Sequence, residues 1–366
     1  MAPLALRLAE DPRFEARVCV TGQHREMLDQ VIEIFGIRVD DDLESMRQGQ
    51  DLTDILAGVM QRLRQPMSKF RPDLVLVHGD TATTFAATLA AFYQQIPVGH
   101  VEAGLRTGDL YAPWPEEANR KLTSALAAIH FAPTRAAADN LRREGVNMRA
   151  VHVTGNTVID ALLAIVKRLE SDHAVREEAI AGLPADLPIQ RMILVTGHRR
   201  ESFGDGFDRI CQALSTIAHT FPEASIVYPV HLNPRVRDPV KRMLDGINNI
   251  HLIDPLNYLS FIYLMSVCEI VLTDSGGVQE EAPSLGKPVL VMRETTERPE
   301  AVAAGTVELV GTDHDLIVSR VATLLTDRTV YDRMSRAHNP YGDGLASARI
   351  IELLAQQTAF RNQGTA

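Results

Sequence analysis

Short apolar runs alternate along the chain with polar or glycine-containing turns and with longer segments whose apolar residues recur at helical spacing. Val18–Thr21, Leu74–Val77, Val98–Val101 and Ile129–Ala132 are too short for helices and too evenly apolar for a sheet with one wet face, so they read as buried parallel strands. Gln23–Phe35, Leu52–Met67 and Ala82–Gln94 carry a helical pattern, clearest in the amphipathic second segment. Ile37–Gln50 is polar and reads as irregular or partly ordered, and Leu4, Leu6 and Leu8 with their intervening charges read as the end of an opening helix. One more strand ends near Val153–Asp160, and the polar, proline-containing run Ser171–Pro188 reads as a crossover. The pattern then restarts with strands at Met192–Thr196, Ser225–Pro229, Ile250–Ile253, Ile270–Leu272, Val289–Met292 and Val307–Val310, and with helices at Tyr258–Cys268 and Asp313–Leu325. Strand, turn and helix in series predict an α/β fold of two Rossmann-like halves, residues 1–165 and 166–345. A last segment, 346–366, contains a helix from Ala346 to Gln356 expected to cross back to the first half.

The stretch Ile270–Glu300, IVLTDSGGVQEEAPSLGKPVLVMRETTERPE, packs the most chemistry into the least chain. A strand runs into Asp274, Ser275, Gly276 and Gly277, a turn that brings backbone close to a ligand, and a helix is expected to start near Gly277. Glu280 and Glu281 follow in its first turn, within reach of a sugar hydroxyl, and Arg298 lies beyond the next strand as a fork donor for a carboxylate or phosphate. Other strands also end in polar groups: His78-Gly79-Asp80 after Leu74–Val77, Glu102 after Val98–Val101, and Gly197-His198 after Met192–Thr196, while a Pro-Trp-Pro loop delivers Glu116 and Glu117 to a helix start. Functional groups at strand carboxyl ends in both halves imply a ligand held in the cleft between them. Each has a plainer reading: Asp80 as a helix N-cap, Glu116 as a first-turn carboxylate, His198 with its arginine neighbours as a basic surface cluster.

Composition narrows the class. With 37 basic and 47 acidic residues the net charge is −10, which disfavours a nucleic-acid footprint. Three scattered cysteines, Cys19, Cys211 and Cys268, fit a reducing compartment, and no apolar run approaches the roughly 18 residues of a membrane span. The expectation is a cytoplasmic protein, and without HExxH or CxxC spacing metal binding has little support.

The chain resembles the bacterial non-hydrolysing UDP-N-acetylglucosamine 2-epimerases, in the GT-B arrangement of two Rossmann-like domains. The resemblance rests on QHREMLDQ, LVHGDTATT, IPVGHVEAGLRTGDLYAPWPEEANR, VTGNTVIDAL, ILVTGHRRESFG, VYPVHLNP, LTDSGGVQEEAPSLGKPVLVMRETTERPE and NPYGDG, which cover nearly the whole chain in order. It implies reversible conversion of UDP-N-acetylglucosamine to UDP-N-acetylmannosamine with no cofactor, neither metal nor nicotinamide, usually by a homodimer. It further implies an acid/base set of Asp80, Glu102, Glu116 and His198, with the order of the three carboxylates left open. Nucleotide-sugar contacts fall on Phe261, Ser275, Gly276, Gly277, Glu281 and Arg298, and an effector site on Gln23, His24 and Arg25, with His231 a further candidate. The implied chemistry eliminates UDP across C1–C2 to give 2-acetamidoglucal and re-adds it to the other face, which needs proton-transfer groups on both sides of the sugar. Hydrolytic release of N-acetylmannosamine, a GT-B glycosyl transfer, and nucleotide-sugar binding without turnover are the competing readings.

Two departures accompany the resemblance. Leu256 stands where related chains can have a glutamine near the uracil. Related chains also begin with a strand and a G-T-R-P-E loop ahead of the segment that opens here as Met1-Ala2-Pro3-Leu4. A strand near the middle of the first sheet is therefore expected to be missing, through a late start codon or a shortened form, with poor folding or slow turnover as the expected result.

Overall fold

In the computed structural model, which describes residues 1–23, 25–45, 49–199 and 202–363, the chain divides into two units. One comprises Met1–Ala161 with Tyr341–Ala366, the other Leu162–Pro340. The first unit begins with α1 (Ala2–Glu10), β1 (Cys19–Val20), α2 (Arg25–Phe35), β2 (Asp41–Asp42), α3 (Leu52–Phe70) and β3 (Val75–His78). It continues with α4 (Ala82–Tyr93), β4 (Val98–Val101), α5 (Glu116–Leu126), β5 (Ile129–Ala132), α6 (Arg135–Arg143) and β6 (Val151–Val153), and the chain leaves it within α7 (Thr157–Ser171).

Strands β3, β4, β5 and β6 form a parallel sheet in that order. Side chains alternate between its faces, as strand geometry requires. Val75 and Val77 join Val59, Leu63 and Met67 of α3 and Ala86, Ala90 and Ala91 of α4. Leu74 and Leu76 join Val101, Ile129, Phe131, Leu4 of α1, and Ile350, Ile351 and Leu354 from the end of the chain. Both faces are covered, which is why the strands read as unbroken apolar runs. Among the described residues, β1 and β2 pair only with each other, as a separate two-stranded sheet. Strand β2 lies inside the segment expected to be irregular or partly ordered.

The second unit continues with α8 (His173–Ala181), β7 (Met192–Thr196), α9 (Asp205–Thr220), β8 (Ser225–Pro229), α10 (Pro234–Leu244), β9 (Ile250–Ile253) and α11 (Tyr258–Val267). It then adds β10 (Ile270–Thr273), α12 (Val278–Ser284), β11 (Val289–Val291), α13 (Pro299–Ala304), β12 (Val307–Leu309), α14 (His314–Thr326) and α15 (Arg328–Ser335). Its six-stranded sheet runs β12-β11-β10-β7-β8-β9 with every pair parallel. The direction of winding reverses between β7 and β10, so the crevice at their carboxyl ends is a topological switch point. The core includes fully buried Ile193, Val195, Ile226, Tyr228, Ile270 and Leu272, packed against α9 through Phe207, Ile210, Leu214 and Ile217. Helix α8 corrects the crossover reading of Ser171–Pro188: Asp172 caps it by accepting from the Ala174 and Val175 amides. Finally α16 (Ala346–Gln363) closes the first unit, its start fixed by Asp160, which accepts from the Ala346 and Ser347 amides at 3.1 and 2.8 Å. Among the described residues, no helix is long and apolar enough to cross a membrane.

Candidate active site

In the first unit, β3 ends in a turn whose shape depends on Gly79, at φ +68°, a left-handed conformation that glycine adopts without a Cβ penalty. The turn is fixed from two sides. Thr84 donates to the His78 carbonyl at 2.5 Å, and His100 Nε2 sits 2.8 Å from the Gly79 carbonyl. A carbonyl only accepts, so this ring nitrogen carries the proton. Asp80 follows, and it is not the N-cap of α4. That role belongs to Thr81, which accepts from the Thr84 amide. The Asp80 carboxylate instead meets Arg120 of α5, with Nε and Nη2 at 2.9 and 2.6 Å from Oδ2, and the neighbouring Asn119 amide donates to the Asp80 carbonyl at 2.9 Å.

Glu102 lies beyond β4 with φ +66°, a backbone strain of about 1 to 3 kcal/mol for a residue with a Cβ. Its carboxylate accepts from Asn156 Nδ2 at 2.8 Å and lies 3.7 Å from His78 Nε2. A Cβ on Gly79 would meet Glu102 Oε1 at 3.5 Å, so Asp80 and Glu102 border the same turn. Asn156 is held in place by its own amide, which donates to the Tyr341 carbonyl at 2.7 Å. Glu116 is the first residue of α5, and its Oε2 is buried with no hydrogen-bond partner among the described residues. Glu117 beside it is fully buried, accepting from Arg120 Nη1 at 3.1 Å and from the Thr107 and Gly108 amides at 3.2 Å each. Burial shapes the imidazoles here: it lowers His100 to about 3 and His130 to about 4. Burial lowers His78 as well, to about 3.

In the second unit, His198 follows β7 and Asp274 follows β10, at the switch point. Thr196 and Thr273 join the two strand ends through their hydroxyls, 2.6 Å apart. Buried Asp274 accepts from the His198 and Arg199 amides at 2.6 and 2.7 Å, and its other oxygen lies 3.4 Å from His198 Nδ1. The His198 ring is 43% exposed and stacks on His231, with centroids 5.5 Å apart. Enclosure by the surrounding protein draws its pKa below the usual histidine value, against the pull of Asp274 and with Arg199 and His231 adding to the effect.

Ser275, Gly276 and Gly277 lead into α12. Gly276 and Gly277 form a turn, as expected, without a positive φ at either glycine, and Gly276 is needed there for close approach. A Cβ there would stand 2.6 Å from Arg298 Nη1 and 2.8 Å from Glu297 Oε1. Arg298, the expected fork for a ligand anion, contacts Glu280 and Glu297 through Nε and Nη1 at 2.5 and 2.6 Å. Burial works to raise Glu297, but Arg298 and Arg293 hold it down at about 2. Glu281 is pushed up to about 8, by burial and then by Glu280, with Tyr258 Oη 3.5 Å from its Oε1. Phe261 is half-buried in α11, and Leu256 lies in the loop before that helix.

Of the effector candidates in the first unit, Gln23 accepts from Thr83 at 2.7 Å, and Arg25 bonds to Asp29 at 2.9 Å and to Asp42. His24 lies outside the described residues. His231 is placed in the second unit, on the His198 ring. Sequence reasoning passed over Arg120, Asn156 and Asp274 as supports of the acid/base candidates. The Glu117–Arg120 spacing of three on a helix was the one available signal, since residues so spaced share a face. Among the described residues, no group of three or more His, Cys, Asp or Glu side chains is placed to hold a metal ion.

A family model described as UDP-N-acetylglucosamine 2-epimerase matches residues 6–355. The UDP-N-acetylglucosamine 2-epimerase of Escherichia coli is 61% identical over 354 residues, 97% of this chain and 94% of the relative. A probable UDP-N-acetylglucosamine 2-epimerase of Ralstonia nicotianae is 62% identical over the same shares of the two chains. Among solved structures, the Neisseria meningitidis UDP-GlcNAc 2-epimerase bound to UDP-GlcNAc superposes with a TM-score of 0.91 at 50% identity, over 97% of this chain and 96% of that one. The Methanocaldococcus jannaschii enzyme in complex with UDP-GlcNAc and UDP gives a TM-score of 0.80 at 30% identity, over 97% and 95% of the two chains. With the family model spanning almost its entire length, this chain belongs to the UDP-N-acetylglucosamine 2-epimerase family.

Proposed function

We propose that the chain interconverts UDP-N-acetylglucosamine and UDP-N-acetylmannosamine without net hydrolysis, by eliminating UDP to 2-acetamidoglucal and re-adding it. The observation that carries this reading is the grouping of Asp80 and Glu102 around one turn, with Glu116 on the helix whose Arg120 holds Asp80. A C2 proton beside an acetamido group is only weakly acidic, so a free carbanion is a poor intermediate. Breaking C2–H and C1–O together avoids it and calls for an acceptor on one face of C2 and a donor on the other. Asp80 and Glu116 fit those two positions, with Glu102, oriented by Asn156, polarising the sugar.

The second unit supplies the nucleotide contacts in this reading. Ser275, Gly276 and Gly277 offer backbone at the switch point, Phe261 an apolar surface, and Glu281, buried and largely protonated at neutral pH, a partner for sugar hydroxyls. His198, oriented by Asp274, stabilises negative charge on the departing diphosphate. Arg298 backs the glycine turn through its ion pairs. The test is incubation with UDP-N-acetylglucosamine in deuterium oxide, followed by NMR. Deuterium at C2 of both epimers with UDP-sugar conserved is the expected result. Epimer that retains its C2 proton overturns the elimination, and free N-acetylmannosamine with UDP as end products moves the reading to the hydrolytic reaction.

A further inference from the structure

Arg120 is 6% exposed and Glu117 is fully buried. An arginine in such a place keeps its charge only beside compensating carboxylates. Burial acts against the Arg120 charge, and Asp80 and Glu117 outweigh it, leaving its pKa raised. The two partners are not equivalent. Glu117 is anchored by the Thr107 and Gly108 amides as well as by Arg120 Nη1, so it is a fixed post. Asp80 takes the guanidinium's Nε and Nη2 on one oxygen and lies on the turn that His78 and Glu102 also border. Among the described residues, the charged and titratable groups that border Asp80 or its turn include Arg120 and Glu117 from α5, His78 from β3, and Glu102 from beyond β4. Arg120 is the cation whose guanidinium touches the Asp80 carboxylate directly.

We infer that Arg120 is a positioning residue: held from behind by Glu117, it keeps Asp80 ionised and aimed, so that Asp80 enters turnover as the acceptor of the C2 proton. The inference rests on the epimerase reading for its chemistry and on the ion-pair geometry for its electrostatics. As the C2–H bond breaks, the proton passes to Asp80, the bonding pair becomes the second bond of C1=C2, and the C1–O pair leaves on UDP. On re-addition another group delivers a proton to the opposite face of C2, and Asp80 must lose its own proton before the next cycle. A cation held against its carboxylate favours that loss.

The test uses the full chain labelled with carboxyl-13C aspartate, the Asp80 resonance being assigned by its absence in Asp80→Asn. Its titration is compared in the parent, in Arg120→Lys and in the double variant Glu117→Gln/Arg120→Met. The double variant removes one buried charge of each sign, so it is the form to use if Arg120→Met alone does not fold. An opposite charge lowers a carboxylate pKa by about 1 to 3 units, so the double variant should titrate about 1 to 3 pH units higher, with Arg120→Lys close to the parent. The acidic limb of kcat/KM should move upward with it, and kcat should fall about 10²-fold in the double variant and about tenfold in Arg120→Lys. Asp80 titrating at the same pH in the parent and the double variant overturns the inference, as does a shifted titration that leaves the rate limb unmoved. A parent that exchanges no C2 proton defeats the epimerase reading, and the carboxyl titration still decides the ion pair.

Discussion

In the first unit, Asp80 and Glu117 share one buried guanidinium, and Glu117 also accepts two backbone amides. In the second unit, Glu281 lies beside another carboxylate, Glu280, while Arg298 contacts Glu280 and Glu297. Both arrangements take carboxylates out of water, and what differs is where the compensating charge is directed. A shared guanidinium sets a positive charge against Asp80 and Glu117, whereas burial beside a like charge drives Glu281 toward its neutral form. The buried histidines extend the contrast. His100 and His130, at neighbouring positions of the first sheet, are held neutral by burial, so excess protons threaten the first unit and their removal threatens the second.

The sharpest way to break this comparison is through chemistry. Asp80→Asn, Glu102→Gln and Glu116→Gln should each lower kcat by about 10²-fold or more, the scale of a lost general acid or base, with UDP affinity from titration calorimetry nearly unchanged. If UDP binding falls instead and kcat holds, the division of labour between the units is wrong.

Next in size is the acid response of the first unit. For His100 and His130 the folded pKa values, about 3 and about 4, lie below the unfolded value of about 6.5. Each contributes stability that is present above the unfolded pKa and is lost as pH falls toward the folded one. From pH 7 to 5 the loss is about 1 to 2 kcal/mol for each. Hydrogen-exchange protection factors for β3–β6 should therefore drop over that range by more than those of β7–β12, where the lowered imidazoles, His198 and His251, are only partly enclosed. Equal loss in both sheets would dissolve the contrast.

The opposite sign is expected at Glu281. Its folded pKa, about 8, lies above the unfolded value of about 4.3, so its contribution is full below pH 4 and is lost as pH rises to 8. Between pH 6 and 8 this amounts to about 2 kcal/mol at most. Glu281→Gln, which cannot ionise, should gain on the parent in thermal melts across that interval. A stability difference that does not change with pH would show that Glu281 is charged throughout.

How much of this was legible in the sequence depends on how local the cause is. Val98–Val101, Ile129–Ala132 and Met192–Thr196 were read to the residue because a strand covered on both faces must be apolar along its length, and both faces are covered. Asp41–Asp42 was not, since two adjacent aspartates run against strand preference and pair only with the short β1. Helix α8 was hidden by its polar composition and depends on the Asp172 cap and on contacts such as Ser260 Oγ donating to the Ala179 carbonyl. At the site, the carboxylates and His198 stood out at strand ends. Their supports did not: Arg120 meets Asp80 across 40 residues and Asp274 meets His198 across 76. Distant partners of that kind are set by sheet order, which no window of sequence contains.

The smallest expected effect separates two adjacent glycines. At Gly276 a methyl group would enter a space bounded by Arg298 Nη1 at 2.6 Å and Glu297 Oε1 at 2.8 Å, whereas at Gly277 the nearest atom is Glu281 Oε2 at 3.8 Å, an ordinary contact. Neither residue has a positive φ, so backbone strain enters neither comparison and the difference is one of space. The clashing atoms are the ends of long side chains and can give way, but Arg298 is tied to Glu280 and Glu297, and displacing it loosens a buried ion pair. Gly276→Ala should therefore cost about 1 to 2 kcal/mol, within the usual range for overfilling a packed site, and should weaken UDP binding by disturbing the turn. Gly277→Ala should change stability by less than about 0.5 kcal/mol. Chemical denaturation of both variants, followed by UDP titration, checks the pair: if the two alanines are tolerated alike, the Arg298 cluster yields more readily than its geometry implies, and the turn is held by Thr273 and Asp274 instead.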